Sequence, residues 1–148
     1  MRAIAVVLGI LIVFPAAAQD AVIGIWQTQA DDNGNFGHVR IYPCGSAICG
    51  QLIRAFDDTG SEVESEQVGK RILWDMSPKG GGDYADGKIY APDRDRTYSS
   101  RMELAGNTLR VSGCILGICR GRTGLDCLER RVLAAPTADL PAIHMHEV

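Results

Sequence analysis

Apolar and polar residues alternate with a period of two along most of this chain, and no stretch beyond the N-terminus repeats convincingly at helical spacing. In His38-Val39-Arg40-Ile41-Tyr42, Val39 and Ile41 fall on one face, His38 and Arg40 on the other. Residues 98–104 place Tyr98, Met102 and Leu104 together and send Arg101 and Glu103 to the opposite side. Residues 107–112 repeat the pattern with Leu109 and Val111 inward. Further strands are expected over 22–28, 48–56, 71–74 and 88–91. The breaks carry turn chemistry: Asp32-Asn33-Gly34-Asn35, Asp86-Gly87 and Ala105-Gly106-Asn107 tolerate positive φ. Short strands joined by short turns predict an all-β meander of antiparallel hairpins. An open sheet of seven or eight such strands would leave two exposed edges, so closure into a small up-and-down β-barrel is the expected architecture. Residues 57–67, acidic and almost free of apolar side chains, read as a mobile loop at one barrel mouth. Residues 76–82, with Pro78 and three glycines, read as a second loop.

The first residues have the form of a secretory signal peptide over 1–18. Arg2 is the positive start, Ala3 onward to Phe14 is uninterruptedly apolar, and Pro15-Ala16-Ala17-Ala18 offers the small residues of a cleavage site. An apolar run of about 12 residues falls short of the roughly 20 a membrane span needs. Cleavage after Ala18 and release into the periplasm or beyond are expected, with no membrane span left. With Arg2 removed, the 15 basic residues become 14 against 18 acidic, a net charge of −4. That balance, without a basic cluster, argues against nucleic acid and against an anionic membrane surface.

Four of the five cysteines form two pairs of equal spacing, Cys44-Gly-Ser-Ala-Ile-Cys49 and Cys114-Ile-Leu-Gly-Ile-Cys119. A two-residue turn at Ser46-Ala47 would place Cys44 opposite Cys49, and one at Leu116-Gly117 would place Cys114 opposite Cys119. Facing residues at a non-hydrogen-bonded pair lie close enough for a disulfide. Four cysteines allow three connectivities, and this register favours the two local bridges. An exported chain favours disulfides over a zinc–thiolate site.

Several segments together resemble the exported bacterial family called domain of unknown function 2147. They are Asp20-x-x-x-Gly24-Ile25-Trp26, Val39-x-Ile41-Tyr42-x-Cys44-Gly45, Ile48-Cys49-Gly50-Gln51-Leu52-Ile53, Gly87-Lys88-Ile89-Tyr90-Ala91-Pro92, Thr97-Tyr98, Leu109-x-Val111-x-Gly113-Cys114 and Cys119-Arg120. The match runs over about residues 20–123. The resemblance implies a lipocalin-like β-barrel in the periplasm, with a small apolar ligand and no established activity. Gly24-x-Trp26 is also similar to the Gly-x-Trp signature of lipocalins, in which the Trp plugs the closed end beneath an Arg of the last strand.

The resemblance ends at Thr123. Family members typically finish Thr-Trp-Thr-Arg, whereas this chain reads Thr123-Gly124-Leu125-Asp126-Cys127. Codons GGA CTC GAC TGC encode Gly-Leu-Asp-Cys, and a T placed before them gives TGG ACT CGA CTG, or Trp-Thr-Arg-Leu. Residues 124–148 are therefore expected to be a frameshifted, poorly ordered tail, with part of the closing strand and the Arg partner of Trp26 lost. Cys127 belongs to neither pair and falls in that tail.

Little chemistry accompanies this scaffold. No nucleophile elbow, metalloprotease helix, P-loop or dinucleotide fingerprint occurs. His144-x-His146 supplies two ligands, too few for a metal site, and no cofactor is expected. Asp83, Asp86, Asp93 and Asp95 flank Tyr84 and Tyr90 and would serve as an acid/base pair only at the right separation; turn formation is the simpler reading. Trp26, Ile41, Leu52, Trp74, Tyr98 and Met102 are the side chains expected inside the barrel or at its mouth, hence the candidate ligand contacts. The leading expectation is a binding protein for a small apolar molecule, or one acting at the cell envelope. A protein-interaction module, such as an inhibitor of an envelope hydrolase with the Cys44–Cys49 hairpin as contact loop, comes second. A carbohydrate-active or other enzyme comes third.

Overall fold

The computed structural model describes residues 20–130. Among them the alternating segments form nine strands: β1 Gly24–Thr28, β2 Phe36–Cys44, β3 Ala47–Phe56, β4 Glu62–Val63, β5 Arg71–Gly80, β6 Asp83–Ala91, β7 Arg96–Ala105, β8 Thr108–Ile115 and β9 Ile118–Arg130. One 3₁₀ turn, Pro92–Arg94, links β6 to β7. Each long strand pairs antiparallel with its sequence neighbours. β1 pairs with both β2 and β9, and β2 with β3, so eight strands close into an up-and-down barrel. The two-residue β4 is an appendage on the end of β3. The signal-peptide segment and His144-x-His146 lie outside the described residues.

The alternation seen in the sequence is the inside and outside of this barrel. Val39 and Ile41 of β2, Leu109 and Val111 of β8 and Met102 of β7 are all buried. On the outer face, Arg101, Glu103, Arg110 and Asp126 are exposed, with Arg110 Nη1 3.7 Å from Glu103 Oε1. Charged side chains in mid-strand give this barrel a water-facing exterior, since lipid-facing charges are costly. No helix among the described residues is long and apolar enough to cross a membrane.

One end of the barrel is closed. The run 20–23 folds across it: the Ile23 N–H donates to the Asp20 carbonyl at 3.1 Å, and Val22 is wholly buried. Trp26, also wholly buried, donates from its indole Nε1 to the Val22 carbonyl at 2.8 Å. A buried indole N–H left unpaired would cost about 1–3 kcal/mol, so this bond is what lets the Trp serve as a plug. The Tyr84 hydroxyl donates to Asp20 from the opposite wall. Burial, and then the adjacent Asp20 carboxylate, push the Tyr84 hydroxyl well above the usual tyrosine range, so it stays a donor.

Three expectations are corrected. Residues 76–82 are not a loop: β5 runs on to Gly80, and Asp83 pairs with Gly80 across a tight turn. Asp75 adopts a left-handed φ of 57°, an inserted residue that turns both Leu73 and Met76 inward and so breaks the period of two. Residues 57–67 are not all loop, since they contain β4, and Asp57 organises their first turn by accepting from the Thr59 and Ser61 N–H groups, each at 2.9 Å. Most consequentially, the chain does not leave the barrel at Thr123. β9 continues to Arg130 and pairs with β1, which closes the barrel. Beyond Thr123 the alternation holds its phase: Leu125 is buried and Cys127 packs against the core, while Asp126 and Leu128 are exposed. Residues 131–148 lie outside the described residues.

Both local disulfides are present, but in different registers. Cys114 lies opposite Cys119 about a Leu116-Gly117 turn, as the sequence suggests. In the other hairpin Cys44 lies opposite Ala47, and Cys49 lies opposite Tyr42, so the bridge runs diagonally. The expected Ser46-Ala47 turn is replaced by Gly45-Ser46 because Gly45, at a φ of 69°, fills the first turn position that a Gly-first hairpin requires.

Candidate functional site

At the end opposite the Trp26 plug the barrel opens into a basin of about 700 Å³. Its walls are the last inward positions of four strands. Ile89 and Ala91 come from β6, Tyr98 from β7, Val111 and Gly113 from β8, and Ile118 and Arg120 from β9. The floor is Val111, continuous with the core, and the lip is Ile115, Leu116 and Ile118 of the Cys114–Cys119 hairpin. These three lip residues are exposed, Leu116 to 98%.

Gly113 makes the space. It sits on the inner face, paired with Ser100 and diagonal to Tyr98, and a Cβ there would meet the Tyr98 Cβ at an ordinary 3.5 Å. A larger side chain would extend into the basin itself. The volume lies within the range of about 300–1,000 Å³ typical of small-molecule sites, and the walls are mainly apolar with few polar groups, the usual composition of such sites.

Polar groups gather on one side of the opening. Asp93 and Arg94 of the 3₁₀ turn line the basin, with Arg94 Nε 3.4 Å from Asp93 Oδ2. The neighbouring Tyr98 hydroxyl, and after it Asp93, hold the Arg94 guanidinium still more firmly protonated than an ordinary arginine. Arg120 faces the same opening from β9 and takes part in no salt bridge with a described residue.

Of the six residues expected to contact a ligand, Tyr98 lines this basin. Trp26, Ile41 and Met102 are buried in the core, and Leu52 packs against that core. Trp74 does not face inward: it follows the inward Leu73, lies opposite the exposed Lys88, and occupies the outer face. The residues that sequence reasoning missed are Ile89, Val111, Gly113 and the Ile115–Ile118 lip. Their signal was present, because Ile89, Val111, Gly113 and Ile115 continue the inward phase of their strands.

The four aspartates do not form one site. Asp83 starts β6 near the closed end, whereas Asp93 and Asp95 sit at the open end. Asp86 lies 2.6 Å from Lys79 Nζ, and that cation's hydrogen bond and charge hold its carboxyl below the usual range. Asp95 accepts from the Tyr90 hydroxyl at 2.9 Å. Among the described residues no cluster of three or more His, Cys, Asp or Glu could hold a metal. His38 is outside the barrel, its ring 4.5 Å from that of Phe56, which in turn stacks on Phe36 at 4.9 Å. Partial burial, then the nearby Arg54, lower its imidazole below the ordinary value of 6.5.

An eight-stranded up-and-down antiparallel barrel, plugged by a Gly-x-Trp strand at one end and open to an apolar basin at the other, is a lipocalin-like protein. The chain belongs to the family described as "uncharacterized protein conserved in bacteria (DUF2147)", whose model matches residues 24–124. Among solved structures it is similar to a protein of Helicobacter pylori, HP1028, described as belonging to the lipocalin family. The TM-score is 0.58 at 20% identity, over 73% of this chain and 83% of that one. That likeness is one of fold. Curated proteins yield no match to the chain. Where lipocalin-type barrels would carry an Arg over the Trp plug, β9 places Cys127 opposite Trp26.

Proposed function

We propose that this protein binds a small apolar molecule in the bacterial envelope, holding it in the basin at the open end of the barrel. The observation that carries this reading is the basin: an apolar, roughly 700 Å³ recess with a buried floor, opening directly to solvent. The two disulfides and the family's bacterial distribution support an exported protein, and the signal-like residues 1–18 support the periplasm. No chemistry is required of the walls, because no acid/base pair converges on them.

Native mass spectrometry of protein purified from the periplasm tests the reading, paired with uptake of a neutral apolar fluorophore such as N-phenyl-1-naphthylamine. A retained small molecule, or fluorophore uptake abolished by Gly113→Leu, is expected. A bare apo mass together with no uptake would overturn it.

A second reading, an interaction module, gains from one observation. The exposed apolar tip Ile115-Leu116-Gly117-Ile118 is pinned by a disulfide, as a contact loop should be. The Cys44–Cys49 hairpin presents only Gly45 and Ser46 at its turn and suits that role less well. A purified partner that binds the oxidised protein and is lost with Leu116→Ser, while fluorophore uptake stays intact, would favour this reading.

A further inference from the structure

We infer that the basin's ligand is a single-chain amphiphile whose anionic head, a carboxylate or phosphate, is held at the lip by Arg120 and Arg94. The inference rests on the basin reading above and goes further by naming the ligand's polar end. It comes from where charge sits around an otherwise apolar recess. The floor and walls from Val111 through Gly113 and Ile89 to Ile115 offer no charged group. The charged lining residues are Asp93, Arg94 and Arg120, all exposed at the rim.

The carboxylate among them is already occupied. Asp93 lies 3.4 Å from Arg94, which leaves the rim one positive charge in excess, on Arg120. That sign is opposite to the chain as a whole, whose net charge is −3. Arg94 keeps further donors beyond the one directed at Asp93, since a guanidinium carries five N–H groups in a planar fork suited to carboxylate or phosphate oxygens. It lines the basin together with Tyr98.

A tail lying over Val111 and Gly113 with its head between Arg120 and Arg94 would therefore match each part of the recess with its chemical complement. A purely apolar ligand would leave the excess charge of Arg120 without a partner. A cationic one would meet them head-on.

Isothermal titration with decanoate, decyl phosphate and the neutral decanol separates the parts of the argument, using the full oxidised protein at low salt. Both anions are expected to bind about five- to tenfold more tightly than decanol, the scale of one or two exposed ion pairs. Arg120→Gln should bring the anions down towards decanol without changing decanol itself, and Arg120→Lys should retain most of the preference. A larger gain for decyl phosphate than for decanoate supports the inference and assigns a phosphate monoester head; the reverse assigns a fatty acid. Equal binding of all three, or an anion preference that survives Arg120→Gln, overturns the head-group inference and leaves the basin standing. Failure of all three to bind removes the basin reading and this inference with it.

Discussion

Two hairpins of this barrel carry the same Cys-x-x-x-x-Cys spacing and sit at opposite ends, and they use the bridge differently. At the closed end, Cys49 is 1% exposed beside the buried Ile48, and the turn is the small Gly45-Ser46. There the disulfide joins residues already held by the core. At the open end, Cys114–Cys119 stands behind Ile115, Leu116 and Ile118, side chains that the hydrophobic effect would pull out of water. There the disulfide holds an apolar lip in place against that pull. Leu116 makes the point sharper. It takes a left-handed φ of 50° in a turn that favours Asn or Gly, and an L-residue pays about 1–2 kcal/mol for that conformation. A residue that breaks the local rule without a packing reward marks a place where stability yields to function.

The largest effect that would test this contrast is Trp26→Ala. Loss of the buried plug should destabilise the fold by about 3–5 kcal/mol in urea denaturation, an effect no lip residue should approach. Next come the two bridges. Removing the disulfide of a loop this short frees the unfolded chain and costs the fold about 2 kcal/mol. Cys114→Ala/Cys119→Ala should cost about that much, and Cys44→Ala/Cys49→Ala about 3 kcal/mol, because Cys49 also leaves a small void. Only the Cys114/Cys119 variant should weaken fluorophore uptake. Equal loss of uptake in both variants would dissolve the distinction between the ends.

Leu116→Gly should stabilise the protein by about 1 kcal/mol through relief of the left-handed strain, while reducing uptake. A stability loss instead would show that the lip belongs to the core. The smallest expected effect concerns His38, on the outer face towards the open end. Its imidazole titrates lower folded than unfolded, so the unfolded chain takes up the proton first as pH falls below 6.5. Stability should drop slightly from that point down to the folded value and then level off for this group. His38→Gln should flatten the step in melting temperature between pH 7.5 and 5. Asp31, Asp57 and Asp86, held low by hydrogen bonds to Asn35, Thr59 and Lys79 respectively, contribute stability lost only at more acid pH.

Most of the architecture was legible because a barrel writes its inside and outside directly into the alternation of residues. Val39, Ile41, Met102, Leu109 and Val111 all sit where that alternation puts them. Legibility failed where the backbone changes phase. The bulge at Asp75 hides the continuation of β5, and Trp74, expected inside the barrel or at its mouth, lies on the outside because strand phase outranks hydrophobicity. The Gly45 turn moved one disulfide off the expected register. The closing half of β9 was missed for a different reason. There the residues depart from the family ending, yet their alternation, Leu125 in and Asp126 out, remains intact. The basin itself was only partly visible. An empty space is made by what is small, such as Gly113, and a list of large apolar residues points instead to the core.

The closure of β1 between β2 and β9 has a consequence for the order in which this protein is made. Gly24 and Arg130 are cross-strand neighbours, so the first strand synthesised cannot complete its pairing until almost the last described residue has arrived. Until then β1 and the Trp26 plug have one partner strand where they need two. A chain emerging N-terminus first from the ribosome must therefore wait unfinished, with its plug unseated, and a break in the final strand undoes the first.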